Sequence, residues 1–280
     1  MSTNELTLTA EKKRTIALKI TTYVVSILLA MLILSSFILM LYQTFGEEIK
    51  MVNGAGDNRY LEIKPRDHII TWKEFKGLFS EGDFIGFKNS MIVSVISTFL
   101  NIYFSAITAY AITAYEWKLR AAFEKFIIVA MMVPATVSTI GFVQMCYKYH
   151  LINNLIMLII PALATPMTVF FMRMYLKATF SRDIVESARI DGAGEFRIFN
   201  QIILPLMKPA IATQTIFCFV ASWSNEWVPR IILIEGESRT LPIMGSYQGS
   251  QLLMAIPPLI LYLFLSKYIV EGIALGSVKA

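Results

Sequence analysis

The sequence predicts an all-α membrane protein with six transmembrane helices and with both termini on the inner side of the membrane. Apolar residues make up 56% of the 280 residues and charged residues only 16%, which is too apolar for a soluble domain of this length. Apolar runs long enough to cross a bilayer recur along the whole chain. Lysine and arginine are more numerous in the segments that would lie inside, which sets the orientation.

The six spans are apolar segments without Asp, Glu, Lys or Arg, since a helix needs about 20 apolar residues to cross the hydrocarbon. They are 20–45, 90–115, 126–147, 151–172, 209–225 and 252–266, with 204–207 extending the fifth past Lys208. We expect an inner N-terminal arm over 1–19 and a single transmembrane domain over 20–280. Residues 46–88 form the predicted external segment of that domain.

The orientation follows from the distribution of basic residues. With the N-terminus inside, the inner segments hold 15 of the 25 lysines and arginines and the outer segments hold 10. Most of the outer ten lie in the long segment 46–88, which counts for less in the positive-inside rule. The short segments therefore predict that the N-terminus and the C-terminus are both inside.

Several residues inside the predicted spans are unusual for a plain membrane anchor. Pro134, Pro161 and Pro166 each remove a backbone donor, so they are expected to kink their helices, either to open a pathway or only to fit the packing. Four amides are candidates for a polar path through the membrane, although each could instead hydrogen-bond a neighbouring helix, which is the commoner role of such residues. They are Asn101, Gln144, Gln214 and Asn225.

The residues that are missing exclude several functions. An ionisable residue near the middle of a span is generally needed by an ion-driven carrier, and none is present. A selectivity-filter sequence is also missing. An ion-coupled secondary carrier or a channel that acts alone remains the alternative function, but only the six spans and the kinking prolines favour it.

Chemistry on the chain itself is not expected. The phosphate-binding pattern G-x-x-x-x-G-K-[ST] is absent, so the chain should not bind ATP or another cofactor. His68, His150, Cys146 and Cys218 are too scattered to form a metal site. The chain shows neither a catalytic nucleophile beside a base nor a nucleic-acid-binding pattern, so we predict neither an enzyme nor a nucleic-acid partner.

The most informative segment is the polar loop 178–209 between the fourth and fifth spans. Its pattern predicts two short helices, the first capped by Ser181 or Asp183 and ended by Gly192. The second helix is expected over 193–200. One interpretation, which requires no partner protein, is an amphipathic helix that lies on lipid headgroups. This loop contains both acids and bases, however, and such mixed charge suits a protein groove better.

The residues of this loop resemble a known family. The order E-S-A-x-x-x-G-x9-I-x-L-P occurs at Glu186, Ser187, Ala188, Gly192, Ile202, Leu204 and Pro205. This order is similar to the EAA loop of ABC importer permeases, with Ser187 in place of the usual alanine. The surrounding residues, including Asp191 and Ala193, resemble the carbohydrate-uptake branch and its maltose-type second permease subunit. The segments WSNEWVP at 223–229 and YIVEGIALGSVKA at 268–280 are similar to the same branch.

The resemblance implies a function. The loop would be a coupling helix that docks on a cytoplasmic ATPase dimer, with Glu186 as its polar anchor and Gly192 as its turn. The sugar or oligosaccharide would move inward by alternating access, driven by ATP that the partner hydrolyses. The resemblance also implies a second, homologous permease subunit, an extracytoplasmic solute-binding protein and a location in the bacterial plasma membrane. The expected coupling residues are Glu186, Ser187, Ala188, Asp191, Gly192, Ala193, Ile202, Leu204 and Pro205.

Overall fold

The computed structural model describes residues 3–53, 59–65, 76, 81–244 and 249–277. Parts of the predicted external segment, the residue His68 and the last three residues lie outside this described part. The chain divides into two compact units, Met1–Gly77 and Leu78–Ala280. Each unit is considered by itself below.

The first unit contains one long helix and a hairpin. Helix α1 covers Thr3–Gly46, so the predicted N-terminal arm is helical from its third residue. Strands β1 (Glu47–Asn53) and β2 (Arg59–Pro65) pair antiparallel, with Glu47 opposite Pro65 and Asn53 opposite Arg59. The all-α prediction is therefore wrong for this hairpin. Long apolar runs defined the spans, and the mixed polar sequence of these strands gave no comparable signal.

The second unit is helical in its described part. Its longer helices are α2 (Glu81–Ala114), α3 (Arg120–Met132), α4 (Ala135–Lys148), α6 (Pro166–Thr179), α7 (Arg182–Ile190), α10 (Lys208–Trp223) and α13 (Gly249–Ser277). Its short helices are α5 (Ile156–Ile159), α8 (Glu195–Ile198), α9 (Leu204–Leu206), α11 (Trp227–Ile232) and α12 (Leu241–Met244). Helix α2 is central, because α6 and α10 both pack along it and α13 packs on α10.

In the described part of the chain, four helical segments are long and apolar enough to cross a membrane, and two bent pairs raise the number to as many as six. The four are Leu18–Tyr42, Gly82–Ala114, Ile156–Thr179 and Ser250–Tyr268. Helices α3 and α4 meet at 90° beside Pro134, as expected from a missing backbone donor. The other bend, of 79°, lies where the loop joins α10, so the third and fifth predicted spans are not straight helices.

The fourth predicted span, 151–172, begins too early and ends too early. The structure places this span at Ile156–Thr179. His150 and Asn153 have φ values of 55° and 57°, so the chain turns here instead of forming a helix. Asn153 suits such a turn, because its Oδ1 accepts from the backbone N–H of Ile234 at 2.6 Å and of Glu235 at 3.0 Å.

Helix α2 buries a polar stripe in spite of its apolar composition. The buried residues Ser90, Ser94, Ser97, Asn101 and Ser105 recur every three or four positions and so lie along one face. Small side chains allow neighbouring helices to approach closely, and hydroxyls can hydrogen-bond across the contact. This face therefore places hydroxyl and amide groups among the buried residues of the second unit.

Candidate functional site

The first helix of the loop is fixed at its start by Ser181. The Ser181 hydroxyl accepts a hydrogen bond from the backbone N–H of Asp183 at 3.3 Å and donates to the Asp183 carboxylate at 3.0 Å. Ser181 is thus the N-cap of α7, and Asp183 lies in its first turn, where an acid is favoured. The structure selects Ser181 from the two predicted caps.

The end of α7 is a Schellman motif around Gly192. The Gly192 N–H donates to the Arg189 carbonyl and the Ala193 N–H donates to the Ala188 carbonyl, both at 3.0 Å. Gly192 has a φ of 81°, a conformation that glycine adopts without the steric cost that other residues incur. The predicted stop of the first helix is therefore where the sequence placed it, and Asp191 is its C-cap.

The second part of the loop differs from the prediction. Helix α8 covers only Glu195–Ile198 and continues as a π-helix over Phe199–Ile203 into α9. Phe196 and Phe199 do not share an environment, although they are three positions apart: Phe199 is 2% exposed and Phe196 is 71% exposed. The predicted helix over 193–200 is thus interrupted at Phe199, where the wider π-helical turn begins.

One face of α7 is buried in the core of the second unit. Val185 and Ala188, three positions apart, pack in a cluster with residues of α2, α6, the π-helix and α10. Ala188 is small enough to keep the helix close to this cluster. A displacement of α7 would therefore change its contacts with α2, α6 and α10.

The opposite side of the loop is exposed. Glu186 and Ser187 point away from the core, and Ile190, at the end of α7, is 86% exposed. Glu186 forms no ion pair or side-chain hydrogen bond with any residue in the described part of the chain. An unpaired carboxylate next to exposed apolar side chains is a suitable surface for a partner protein.

Polar contacts attach the loop to the end of α2. The Tyr115 hydroxyl donates to the Glu195 carboxylate, which also forms an ion pair with Arg189 at 2.7 Å. The Arg189 guanidinium lies over the Tyr115 ring, 5.6 Å from its centre. Arg182 pairs with Glu116 at 2.9 Å. The loop is thus clamped to the residues that follow α2.

This clamp shifts the ionisation of its members. The hydrogen bond from Arg189 and, after it, that from Tyr115 lower the pKa of Glu195. Burial, and then the hydrogen bond to Glu195, raise the pKa of Tyr115. At neutral pH the carboxylate is charged and the phenol is protonated, which is the combination that the hydrogen bond between them requires.

The second candidate site is a cavity of about 380 Å³ between α2, α6 and α10. Asn101, Gln214 and Asn225, three of the four predicted path residues, line it. Gln144 is exposed on α4 and lies outside the described lining of this cavity. The expected path residues are therefore brought together with one exception.

Hydroxyl groups complete the lining of the cavity. Asn101 Nδ2 donates to Thr165 Oγ1 at 3.1 Å, and the Thr165 and Thr168 hydroxyls lie 2.9 Å apart. Ser97 also lines the cavity, and its buried hydroxyl has no hydrogen-bond partner among the described residues. Ser97, Thr165 and Thr168 were not among the residues predicted to line a polar path. The spacing of serines along α2 is a signal that could have found the first of them.

The described residues do not bring three His, Cys, Asp or Glu side chains together as a metal site would require. Cys146 and Cys218 are free thiols, the first buried and the second partly buried. Cys218 lines the cavity, with its sulfur 3.6 Å from the Thr168 hydroxyl.

Comparison with known proteins gives consistent matches. Residues 101–274 match the family described as the binding-protein-dependent transport system inner membrane component. The arabinooligosaccharides transport system permease protein AraQ of Bacillus subtilis is 34% identical over 233 residues, which cover 78% of this chain and 82% of that protein. The melibiose/raffinose/stachyose import permease protein MelC of Bacillus subtilis is 31% identical over 207 residues, covering 69% and 75%.

A further relative and a solved structure agree with these matches. The maltodextrin transport system permease protein MalD of Streptococcus pneumoniae is 28% identical over 227 residues, covering 75% of this chain and 80% of that protein. One chain of a crystal structure of a bacterial ABC transporter, involved in the import of the acidic polysaccharide alginate, superposes with a TM-score of 0.67. It is 22% identical and covers 90% of this chain and 97% of that chain, so it shows a shared fold.

Proposed function

The chain belongs to the family of binding-protein-dependent transport system inner membrane components, and from this premise we propose that it moves a sugar or oligosaccharide inward by alternating access. It is a permease subunit of an ABC importer in the bacterial plasma membrane, and it is a transport subunit, not an enzyme. The relatives named for arabinooligosaccharides, for melibiose, raffinose and stachyose, and for maltodextrin support a carbohydrate as the solute.

The loop is the site at which this subunit receives mechanical work. Its exposed side carries Glu186 and Ile190, while Val185 and Ala188 on the other side are buried against α2, α6 and α10. An ATPase that moves α7 therefore moves the same three helices that line the cavity. This double contact is the observation that carries the coupling role.

The other expected coupling residues have supporting roles in this proposal. Asp191, Gly192 and Ala193 shape the turn after α7, and Ile202, Leu204 and Pro205 join the loop to α10. Ser187 stands where a small residue keeps the docking surface close to its partner. ATP is bound and hydrolysed by the partner, and this chain binds no cofactor.

The orientation and partners follow from the role of the loop. A loop that contacts a cytoplasmic ATPase lies on the cytoplasmic side of the membrane. Because this loop lies between the fourth and fifth of six spans, both termini are then on the cytoplasmic side as well. The family of importers works with an ATPase, a solute-binding protein and a second permease. Here the partners are a cytoplasmic ATPase dimer, a homologous permease and an extracytoplasmic binding protein, with lipid around the exposed apolar helices.

Among the described residues, only the candidate spans and the bend beside Pro134 support the alternative of an ion-coupled carrier or a lone channel, and a permease subunit accounts for both equally well. The described residues that line the cavity include no carboxylate that could bind a proton or a cation. Membership of the importer family explains the loop, which a carrier that works alone does not need.

A charge reversal tests the coupling role. Glu186→Lys should abolish co-purification with the ATPase while the subunit remains in the membrane, because the change is at an exposed position and leaves the core intact. Glu237→Lys is the matched control, since Glu237 is also exposed but lies far from the loop, in the segment between α11 and α12. Normal ATPase co-purification and normal uptake with Glu186→Lys would contradict the proposal.

A further inference from the structure

We propose that the cavity between α2, α6 and α10 is a binding site within this subunit for an uncharged saccharide, and that it disfavours acidic ones. The inference rests on the proposed function and adds the location and the chemical class of the solute. It is carried by four properties of the cavity: unused hydrogen-bonding groups, a neutral polar lining, two exposed apolar side chains and a contrasting apolar neighbour.

The cavity contains hydrogen-bonding groups that the protein itself does not use. Gln214 is only 6% exposed and its amide forms no hydrogen bond with any described residue, but the amide is not fully enclosed and so remains accessible from the cavity that it lines. Ser97 is 2% exposed and its hydroxyl has no described partner. Buried polar groups are normally hydrogen-bonded, and leaving one unpaired costs about 1–3 kcal/mol. These two groups are therefore well placed to bind a polar ligand.

Three further polar residues of the cavity can both donate and accept hydrogen bonds. Asn101, Thr165 and Thr168 form a hydrogen-bonded chain in which every member carries both kinds of group. The hydroxyls of a sugar have the same double capacity. A neutral saccharide can thus join this network in several ways, which suits a solute that must bind and then leave.

Charge is missing from the lining. The described residues around the cavity include serine, threonine, asparagine, glutamine, cysteine and apolar residues, but none that is ionised at neutral pH. A carboxylate that enters such a site loses water without gaining a cation, which is costly in a buried environment. Proteins that recognise carboxylates generally supply arginine for this purpose.

Two apolar side chains offer a surface for the ring of a sugar. Phe217 on α10 and Met167 on α6 both line the cavity and are both largely exposed. Ligand sites typically combine an apolar lining with a few well-placed polar groups, in cavities of about 300–1,000 Å³. The size of this cavity falls at the lower end of that range, so it suits one or two rings of an oligosaccharide whose remaining ring lies outside it.

A neighbouring cavity shows that this polarity is not a general property of the fold. This neighbouring cavity lies between α2, α10 and α13. Its volume of about 370 Å³ is nearly that of the proposed saccharide site, which is about 380 Å³. Its lining is almost wholly apolar and includes Phe99, Leu204, Phe219 and Leu261. Such a lining suits hydrocarbon, whereas the cavity between α2, α6 and α10 brings three amides, those of Asn101, Gln214 and Asn225, together with hydroxyls that a saccharide can bind.

Saccharide binding to the complete importer tests the inference. The importer, with its ATPase and second permease, is placed in lipid nanodiscs without the binding protein. Binding of tritiated arabinotriose, raffinose, maltotriose and trigalacturonate is then measured. We expect at least one neutral trisaccharide to bind, and trigalacturonate to bind at least about 100-fold more weakly. Gln214→Leu should weaken the neutral binding at least about tenfold.

Two further variants make the test decisive. Gln144→Leu, the same substitution on the exposed face of α4, should leave binding unchanged. Ser97→Ala, which removes one oxygen atom, should weaken binding even if Gln214→Leu prevents assembly. Trigalacturonate binding as strong as that of the best neutral trisaccharide, or neutral binding that neither cavity variant weakens, overturns the inference.

The outcome separates this inference from the proposed function. If no trisaccharide binds, because helices of the second permease fill the cavity for example, the inference is wrong. The same complex is then reconstituted with its binding protein and assayed for ATP-dependent saccharide uptake. Uptake without binding in the cavity leaves the proposed function intact, whereas failure of both assays refutes both.

Discussion

The indole Nε1 of Trp223 donates a hydrogen bond of 2.9 Å to the backbone carbonyl of Met254. In a regular helix that carbonyl would accept from the N–H of residue 258, but residue 258 is proline and has no N–H. The Trp223 side chain thus satisfies a carbonyl that Pro258 leaves unpaired inside α13. Trp223 is buried, and its ring packs on Phe87 and Phe219.

The first prediction concerns this hydrogen bond. Trp223→Phe should destabilise the subunit by about 1–3 kcal/mol through the unpaired carbonyl, in addition to the loss of buried area. Pro258→Ala restores an N–H within α13. In the Pro258→Ala background, Trp223→Phe should therefore cost less. SDS titration of the four purified proteins gives the coupling energy, and strict additivity would contradict the proposed link.

The sequence predicted the positions of most helices because charge-free apolar runs of sufficient length have few alternatives. It also predicted the bend at Pro134 and the turn at Gly192, since the physical cause of each lies in a single residue. Patterns that depend on three-dimensional neighbours were not predictable. The link between Trp223 and Met254 joins residues 31 positions apart, and no local pattern pairs them.

The start of the fourth span and the residues that line the cavity also depend on three-dimensional neighbours. The apolar residues that follow His150 look like the start of a span, and only the left-handed turn at Asn153 shows that they are not. The serine stripe of α2 was not predicted, because serine is uncharged and does not interrupt an apolar run that is defined by the lack of charged residues. Gln144 and Gln214 look alike in sequence, and only the packing of α4 and α10 distinguishes them.

The second prediction concerns the turn at Gly192. Gly192→Thr places a β-branched residue at a φ of 81°, which should destabilise the turn by about 1–2 kcal/mol and reduce ATPase co-purification. Gly194→Thr is the matched control, because Gly194 has a φ of −71° and nothing lies within 4 Å of an added Cβ at either glycine. Equal loss with both substitutions would show that backbone conformation is not the cause.

The third prediction concerns the clamp around Glu195. The pKa of Glu195 is lower in the folded protein than in the unfolded chain. The ionised carboxylate therefore stabilises the fold fully at pH values above the unfolded pKa of a glutamate. This stabilisation is lost as the pH falls through the lower pKa of the folded state. Glu195→Gln should therefore destabilise the purified subunit at pH 7, by no more than about 1 kcal/mol because the pair is partly exposed. The difference should disappear in strong acid.

Thermal unfolding in detergent at several pH values measures this effect. Tyr115→Phe removes one donor to Glu195 and should move the acid loss to higher pH, while the ring beneath Arg189 is retained. Glu186→Gln, on the same loop, is the control and should leave the unfolding temperature at pH 7 unchanged, because Glu186 forms no ion pair with a described residue. A Glu195→Gln deficit that is as large in acid as at pH 7 would show that the charge of Glu195 is not its source.

The fourth prediction concerns Asn153, which joins two connecting segments. Its side-chain oxygen accepts from two backbone N–H groups, its own N–H donates to the Ile232 carbonyl at 2.8 Å, and its φ is 57°. Asn153→Ala removes the acceptor and leaves a residue poorly suited to this φ, so it should destabilise the subunit by about 1–3 kcal/mol. Asn153→Asp keeps an acceptor at the same place, so its loss of stability should be much smaller. Asn153→Gly tolerates the positive φ but lacks the acceptor, so relative to Asn153→Ala it should regain only the stability lost through backbone strain. Thermal unfolding ranks the three variants, and an aspartate variant as unstable as the alanine variant would show that the accepted hydrogen bonds do not hold these segments together.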